Sequence, residues 1–446
     1  MNNTYRRHVS SRSPRLRILL LLVSVLTALS SRSADAQAPA EPPTKQWWDF
    51  GFGDYVLNEN VLLYLGHAWS QSADASEVLE AASRVDESDP DSWTREFRKT
   101  GDRLMAVGRE AERTGHPISA GHAYLRAATY YRAALHRNFH PKSAETRELA
   151  TRQAWCYERH LALSDSPCRP VRIPYERTTL PGYFCRSPKA RRSAPAIIFN
   201  TGRDVWAEDA KLVADEAMAR GYHALLFDGP GQGQALRRQD LPFRADWNKV
   251  ITPVLDFVIA QRGVDDRRVV LWGESMGGYL APRAAVDEHR LRAVVANPGV
   301  VDWFRVTTSQ VDMLFPGLLE LLGKDDAKLD AQVLAAMQEN AFLRWGFEDY
   351  MWKHGVDRPS ALFHELEKYR LGGGVKQIRT PMLVVDAEAD DRGQARELYD
   401  QLESPKDFLL FTAAEAAQFH DQPGAKAIAT ARIYDWIDDI IASPRR

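Results

Sequence analysis

Residues 267–278, RRVVLWGESMGG, constrain the fold of this chain more than any other stretch. Val269, Val270, Leu271 and Trp272 are apolar and β-prone, as a buried strand requires. Gly273-Glu274-Ser275-Met276-Gly277-Gly278 follows at once, and Tyr279-Leu280-Ala281 opens a helix. A strand that ends in Gly-x-Ser-x-Gly and passes straight into a helix forces a tight turn. The serine takes a strained backbone conformation, and a Cβ on either flank would clash, so glycine stands on both sides. The strain lifts the Ser275 hydroxyl clear of the sheet. It also aims the Met276 N–H and the helix N-terminus at the space where an oxyanion would form. Short glycine–serine runs are common in loops. The strand before this one, the helix after it and the doubled glycine separate it from an ordinary turn with a passive serine.

Around this stretch strands and helices alternate. Residues 171–175 and 178–184 read as a hairpin, and 196–200, 224–227, 293–296, 381–386 and 408–411 as apolar strands. Helices are predicted over 208–220, 247–261 and 425–441. That rhythm predicts a mostly parallel sheet with helices on both faces. Residues 302–369 break it. They are helical and aromatic (Trp303, Phe304, Phe315, Trp345, Phe347, Tyr350, Trp352) and read as a cap insertion beside the site. Before the sheet the pattern is helical throughout. Asp91-Ser92 opens a helix with Trp93, Phe97, Leu104 and Val107 on its apolar side and Gly115 beyond its end. Ser119 is expected to cap a second, carrying Tyr124, Ala127, Ala128, Tyr131 and Leu135. Ser143 is expected to cap a third, with Leu149, Ala154, Trp155 and Leu161. The expected organisation is a helical N-terminal domain over 47–168 and a sheet domain over 169–446. Gly229-Pro230-Gly231-Gln232-Gly233 lacks the dinucleotide spacing G-x-G-x-x-G, and Arg237-Arg238-Gln239 stands where a helix should open. A tight turn beside the site is the expectation there.

Strand, Gly-x-Ser-x-Gly turn and helix together are the nucleophile elbow of the α/β-hydrolases, in which serine, acid and histidine follow in that order. A serine hydroxyl needs a base to take its proton and a third group to hold that base. His420 follows the last strand and is the only histidine after His364, so position singles it out as the base. For the acid, Asp390 sits in the loop after the strand at 381–386. Asp386 ends that strand and Asp391 lies one residue further on, and both remain rivals. The second oxyanion donor belongs in the loop after 196–199, where the Arg203 N–H is the candidate; capping the next helix is the other use open to Arg203. Arg126 and Tyr130 lie four apart on one helix face, beside Tyr131 and Arg132. That cluster suits either a substrate carboxylate or enolate, or an interdomain hydrogen-bond network.

The remaining composition bounds function by exclusion. A formal net charge of −2 argues against a nucleic-acid footprint. Arg6, Arg7, Arg12, Arg15 and Arg17 precede an apolar run over 18–29, and Ala34-Asp35-Ala36 has the small-x-small form of a cleavage site. Residues 1–36 therefore read as a signal peptide and 37–46, rich in Pro and Ala, as a linker. The run is short for a membrane span. Removing 1–36 takes away six Arg and one Asp, which leaves an exported, periplasmic or secreted chain of charge −7 with no span of its own. Cys156, Cys168 and Cys185 permit one disulfide and leave one thiol over. No spacing reads as a metal site, and no organic cofactor is implied.

The chain resembles the branch of the α/β-hydrolases that includes 2,6-dihydroxypseudooxynicotine hydrolase and the fungal chain-shortening hydrolases of pigment pathways. The stretches that carry the resemblance are Asp91-Ser92-Trp93, Leu125-Arg126-Ala127 with Tyr130-Tyr131-Arg132, Ile173-Pro174-Tyr175, Leu180-Pro181-Gly182-Tyr183-Phe184, residues 228–233 and 273–278, and 411–420. The resemblance implies an α/β-hydrolase fold with a helical N-terminal domain and a helical cap. It also implies a Ser–Asp–His triad for an ester or a carbon–carbon bond next to a ketone, a small-molecule substrate and a homodimer. Some members use an extra carboxylate from the cap, for which Glu348, Asp349 and Asp302 are the candidates here. Two departures stand beside the base: Glu415-Ala416-Ala417 replaces Glu-Gly-Ala, and Asp421 stands where cysteine is common. The rival enzyme is a serine peptidase of the prolyl-oligopeptidase type, against which the helical N-terminus speaks. The rival outside catalysis is a binding protein on a hydrolase scaffold.

Overall fold

The apolar runs of the sequence assemble into one eight-stranded sheet in the computed structural model, which describes residues 48–390 and 393–444. The expected signal peptide and linker, and Asp391, lie outside the described residues. The strands are β1 Cys168–Tyr175, β2 Thr178–Cys185, β3 Ala194–Asn200, β4 His223–Phe227, β5 Val264–Glu274, β6 Ala293–Asn297, β7 Met382–Ala387 and β8 Lys406–Phe411. Their order in space is β1-β2-β4-β3-β5-β6-β7-β8. β2 pairs antiparallel with β1 and with β4, and all other neighbours are parallel. The chain steps outward from β3 to β4, then returns to the other side of β3 for β5. That reversal leaves the loops after β3 and β5 side by side at the carboxyl edge, with Asn200 in register with Gly273.

The central strands are apolar throughout because helices cover both faces. Alternate residues serve alternate cores. Ile197, Phe199, Val270, Trp272, Val295 and Val385 share one core with Leu57, Tyr64, Phe97 and Tyr130 of the N-terminal helices and Tyr434 of the last helix, Lys426–Ala442. Ile198, Leu225, Leu271, Val294 and Val384 share the other with Val254, Leu280 and, from the insertion, Leu329, Val333 and Leu362. The insertion folds as four helices, Trp303–Leu314, Asp326–Glu339, Ala341–Lys353 and Pro359–Leu366.

Five described helices precede the sheet: Tyr55–Gly66, Ala75–Ser83, Ser92–Arg113, Pro117–His136 and Ala144–Leu163. They belong to the same compact unit as the sheet, 45–446. Three local expectations are corrected here. The helix assigned to a Ser119 cap begins earlier, at Pro117, whose ring suits the first helical position; Ser119 lies inside the first turn. Val107 is 47% exposed and Trp155 42%. The helix Pro117–His136 crosses its neighbour over Gly101 and Gly108, where the Tyr131 and Tyr124 rings fill the space of a Cβ, so the contact leaves Val107 outside. Trp155 instead lies edge-on to Tyr124 under the Arg109 guanidinium. A short helix, Gly233–Gln239, opens at the last glycine of the Gly-Pro-Gly-Gln-Gly run, where none was expected. Arg237 and Arg238 occupy its last turn, at the negative end of the helix dipole.

Ser143 does cap its helix, accepting from the Thr146 N–H at 3.1 Å. Cys168 and Cys185 face each other in the β1–β2 register and form a disulfide, while Cys156 remains a buried thiol. Among the described residues no helix is long and apolar enough to cross a membrane.

Candidate active site

β5 ends at Glu274, and the helix Gly277–Ala285 starts two residues past Ser275. Ser275 takes φ 59°, the left-handed region that non-glycine residues rarely adopt. The turn tolerates nothing bulkier on its flanks. A Cβ on Gly273 would stand 2.0 Å from the Gly277 carbonyl oxygen, and one on Gly277 2.4 Å from that of Asn200. Within 273–278 only Ser275 is partly open to solvent.

The loop after β8 brings His420 Nε2 to 3.1 Å from Ser275 Oγ. The loop after β7 brings Asp390 Oδ2 to 2.8 Å from His420 Nδ1. The Asp390 side chain is fully buried and that of His420 is 8% exposed, so little water competes for their hydrogen bond. With the proton on Nδ1, the Nε2 lone pair faces the serine hydroxyl. Asp386, the rival acid, stays in β7 and accepts from the Ala387 N–H at 3.0 Å. Burial pushes its carboxyl up to about 6.

The loop after β3 runs against the elbow. Gly202 approaches so closely that a Cβ there would stand 2.6 Å from Ser275 Cβ and 2.9 Å from the Met276 nitrogen. Among the described residues, neither the Met276 nor the Arg203 N–H donates to a protein acceptor. Gln232 fixes this loop. Its Nε2 donates to the Thr201 and Gly202 carbonyls at 2.6 and 3.1 Å, and its Oε1 accepts from the Gly229 N–H at 2.8 Å. The glycine-rich run was legible as a turn beside the site. The role of its one amide side chain was not read, although a lone glutamine among glycines is the signal that marks it.

The Arg203 side chain enters a partly buried charge network. Its Nη2 lies 2.9 Å from Asp204 Oδ2, its Nη1 3.1 Å from Asp349 Oδ2, and its guanidinium 3.9 Å from the centre of the Tyr350 ring. Lys353 Nζ reaches Asp204 Oδ1 at 2.6 Å and Asp349 Oδ2 at 2.7 Å. Arg132 bonds Asp209 at 2.9 Å and the Asp204 carbonyl. Burial alone would raise the Asp204 carboxyl, but Arg203 and Lys353 hold it well below the usual carboxylate range. The insertion, the loop after β3 and the N-terminal helices are thereby joined through one set of charges.

The other candidates have partners of their own or make no hydrogen bond with Ser275 among the described residues. Asp302 caps the helix Trp303–Leu314, accepting from the Arg305 N–H at 2.9 Å. Glu348 is half-buried, one residue before Asp349. Arg126 pairs with Glu77 at 3.0 Å, and the Tyr130 hydroxyl accepts from the Asp74 N–H at 3.0 Å, so both are engaged within the N-terminal helices. Asp421 comes unexpectedly close. Its Oδ1 accepts from the Ser275 N–H at 3.1 Å and its Oδ2 lies 3.2 Å from His420 Nε2. Among the described residues no group of three His, Cys, Asp or Glu is placed to hold a metal ion.

The model of the alpha/beta hydrolase family matches residues 180–425, from β2 to just past His420. The chain belongs to the alpha/beta hydrolase family. It is 30% identical to the hydrolase LUC6 of a Fusarium species, over 87% of this chain and 97% of that one. It is also 30% identical to the 20-hydroxy-prefusarin hydrolase FUS2 of Gibberella moniliformis, over 88% and 98%. Among solved structures, the 2,6-dihydroxy-pseudo-oxynicotine hydrolase superposes with a TM-score of 0.64 over 84% of this chain and 95% of that one, at 17% identity. The fold is thus an α/β-hydrolase fold with a helical N-terminal region and an inserted set of helices, and the protein is a hydrolase.

Proposed function

We propose that the protein is a serine hydrolase that cleaves an ester, or a carbon–carbon bond next to a ketone, in a small molecule. The observation that carries this reading is the unbroken line from Ser275 Oγ through His420 to Asp390, with steps of 3.1 and 2.8 Å. His420 Nε2 takes the hydroxyl proton as Ser275 Oγ attacks the carbonyl carbon. Asp390 holds the ring and stabilises the imidazolium. The Met276 and Arg203 N–H groups receive the negative charge on the carbonyl oxygen. With an ester, the C–O bond breaks, the leaving alkoxide takes the proton from His420, and an acyl-enzyme remains. Water then repeats the sequence: His420 takes its proton and Ser275 regains one. With a ketone, the departing carbon takes the proton instead.

The name of the prefusarin relative, which denotes hydrolysis of a small molecule, supports the substrate class. The leader-like pattern over 1–36 and the Cys168–Cys185 disulfide support an exported protein. The test is a panel of p-nitrophenyl esters, β-diketones and aminoacyl-anilides offered to purified protein and to Ser275→Ala. Turnover of an ester or diketone by the wild type alone is the expected result. Turnover confined to the anilides would assign the protein to the peptidases, and equal turnover by Ser275→Ala would refute the triad reading.

A further inference from the structure

We infer that Asp421 is a positioning residue for the base: its carboxylate holds the Nε2 proton of the His420 imidazolium, which delays serine activation to higher pH and strengthens the base once it is free. The inference rests on the triad reading above. Its origin is a double contact, Oδ1 to the Ser275 N–H at 3.1 Å and Oδ2 to His420 Nε2 at 3.2 Å. When Nδ1 donates to Asp390, Nε2 of a neutral imidazole is an acceptor, and so is an ionised carboxylate. Two acceptors at that distance repel, and a proton between them removes the repulsion. The imidazolium is then flanked by carboxylates on both of its nitrogens, an arrangement that favours the charged ring.

The backbone explains why Asp421 stands there. Asp421 and Gln422 both take left-handed conformations, φ 58° and 49°, so the chain doubles back beneath the elbow. Lys426 Nζ pins the turn by donating to the Asp421 main-chain oxygen at 2.7 Å and to Glu274 Oε1 at 2.6 Å. Gln422 Oε1 accepts from the Asn297 side-chain amide at 2.9 Å, and the Asn297 carbonyl accepts from the Ser275 N–H at 2.7 Å. Among the described residues, the charged and titratable groups placed around His420 include Asp390 from the loop after β7, Glu274 from the elbow, Asp421 from its own loop and, bonded to the Asp421 main chain, Lys426 from the helix behind it. Lys426 directs its ammonium to Glu274 and to a main-chain oxygen. Among the described residues, the Asp421 carboxylate is an acidic group in contact with Nε2, the nitrogen that must exchange protons with the serine.

The experiment is the rate of covalent labelling by a fluorophosphonate probe, followed from acid to alkaline pH for the wild type, Asp421→Asn and Asp421→Ser. It needs no knowledge of the substrate. Loss of the carboxylate is expected to move the acid limb of the profile down by about one pH unit and to lower the alkaline plateau several-fold. A variant that labels more slowly at every pH with an unmoved limb would assign Asp421 a merely structural role and overturn the inference. Superimposable profiles would overturn it equally, and both outcomes leave the triad reading standing. A folded wild type that takes no label at any pH would remove the triad reading and this inference together. Circular dichroism checks each fold. Should Asp421→Asn fail to fold, Asp421→Ser removes the same charge with a smaller side chain and is judged by the same limb.

Discussion

Two polar clusters, each partly buried, meet at the loop 201–204, and they are wired in opposite ways. The Ser275–His420–Asp390 cluster is a line with one end, the serine hydroxyl, open to solvent. The Arg203–Asp204–Asp349–Lys353 cluster closes on itself, each cation touching both carboxylates. A line with a free end can pass a proton outward. A closed ring of charges serves to hold two chain segments, the loop after β3 and the helix Ala341–Lys353, at fixed distances. The same loop joins both: Gly202 packs against the elbow, and the Arg203 side chain anchors the ring. On the mechanism proposed above, rigidity in the ring would hold the Arg203 N–H in place as a donor.

The largest effects are expected in the line. Ser275→Ala or His420→Ala is expected to lose about 10³- to 10⁶-fold in kcat on any substrate the panel yields, with the urea midpoint little changed. Asp390→Asn is expected to lose about 10⁴-fold, since an amide fixes the imidazole in the wrong tautomer. Retained activity in any of these would make the line an ordinary hydrogen-bond chain. The ring is expected to answer in stability. Lys353→Met leaves the buried Asp349 carboxylate and the partly exposed Asp204 carboxylate short of a cation and should cost up to about 3 kcal/mol, read by urea denaturation. A variant of unchanged stability and lost activity would show that the two clusters are wired alike.

Glu208, just past the ring, sharpens the contrast through pH. Burial, with Asp228 beside it, raises its carboxyl from the usual 4.5 up to about 8. An acid raised on folding contributes its stability in full below the unfolded value and loses it as pH climbs to the folded one. The wild-type Tm should therefore fall between pH 4.5 and about 8, and Glu208→Gln should flatten that fall. The smallest effect belongs to Arg126→Ala. Its partly exposed pair with Glu77 should be worth about 0.2–1 kcal/mol, and labelling of the serine should not change.

The sequence made some of this legible and hid the rest for identifiable reasons. β3, β6 and residues 269–272 of β5 were readable because both their faces are buried, which leaves apolar runs; the charged start of β5 at 264–268 is not buried. Ser275, Asp390 and His420 could be named because each follows a strand of the same parallel sheet, and chain order then limits the choice. The helix Gly233–Gln239 escaped because seven residues give less than two full turns of periodicity, and its glycine start reads as a loop. The charge ring escaped because its two halves lie far apart in sequence: Arg203 and Asp349 stand 146 residues apart. The Asp421 contact depends on left-handed backbone at two non-glycine residues, which no composition announces.

The most direct measurement is peptide mapping by mass spectrometry after reaction with a fluorophosphonate, on the wild type, Ser275→Ala and Ser309→Ala. The account predicts one adduct on Ser275, absent from Ser275→Ala and unchanged in Ser309→Ala, whose serine lies exposed on the insertion. An adduct at another serine, or a folded wild type that takes none, would contradict it.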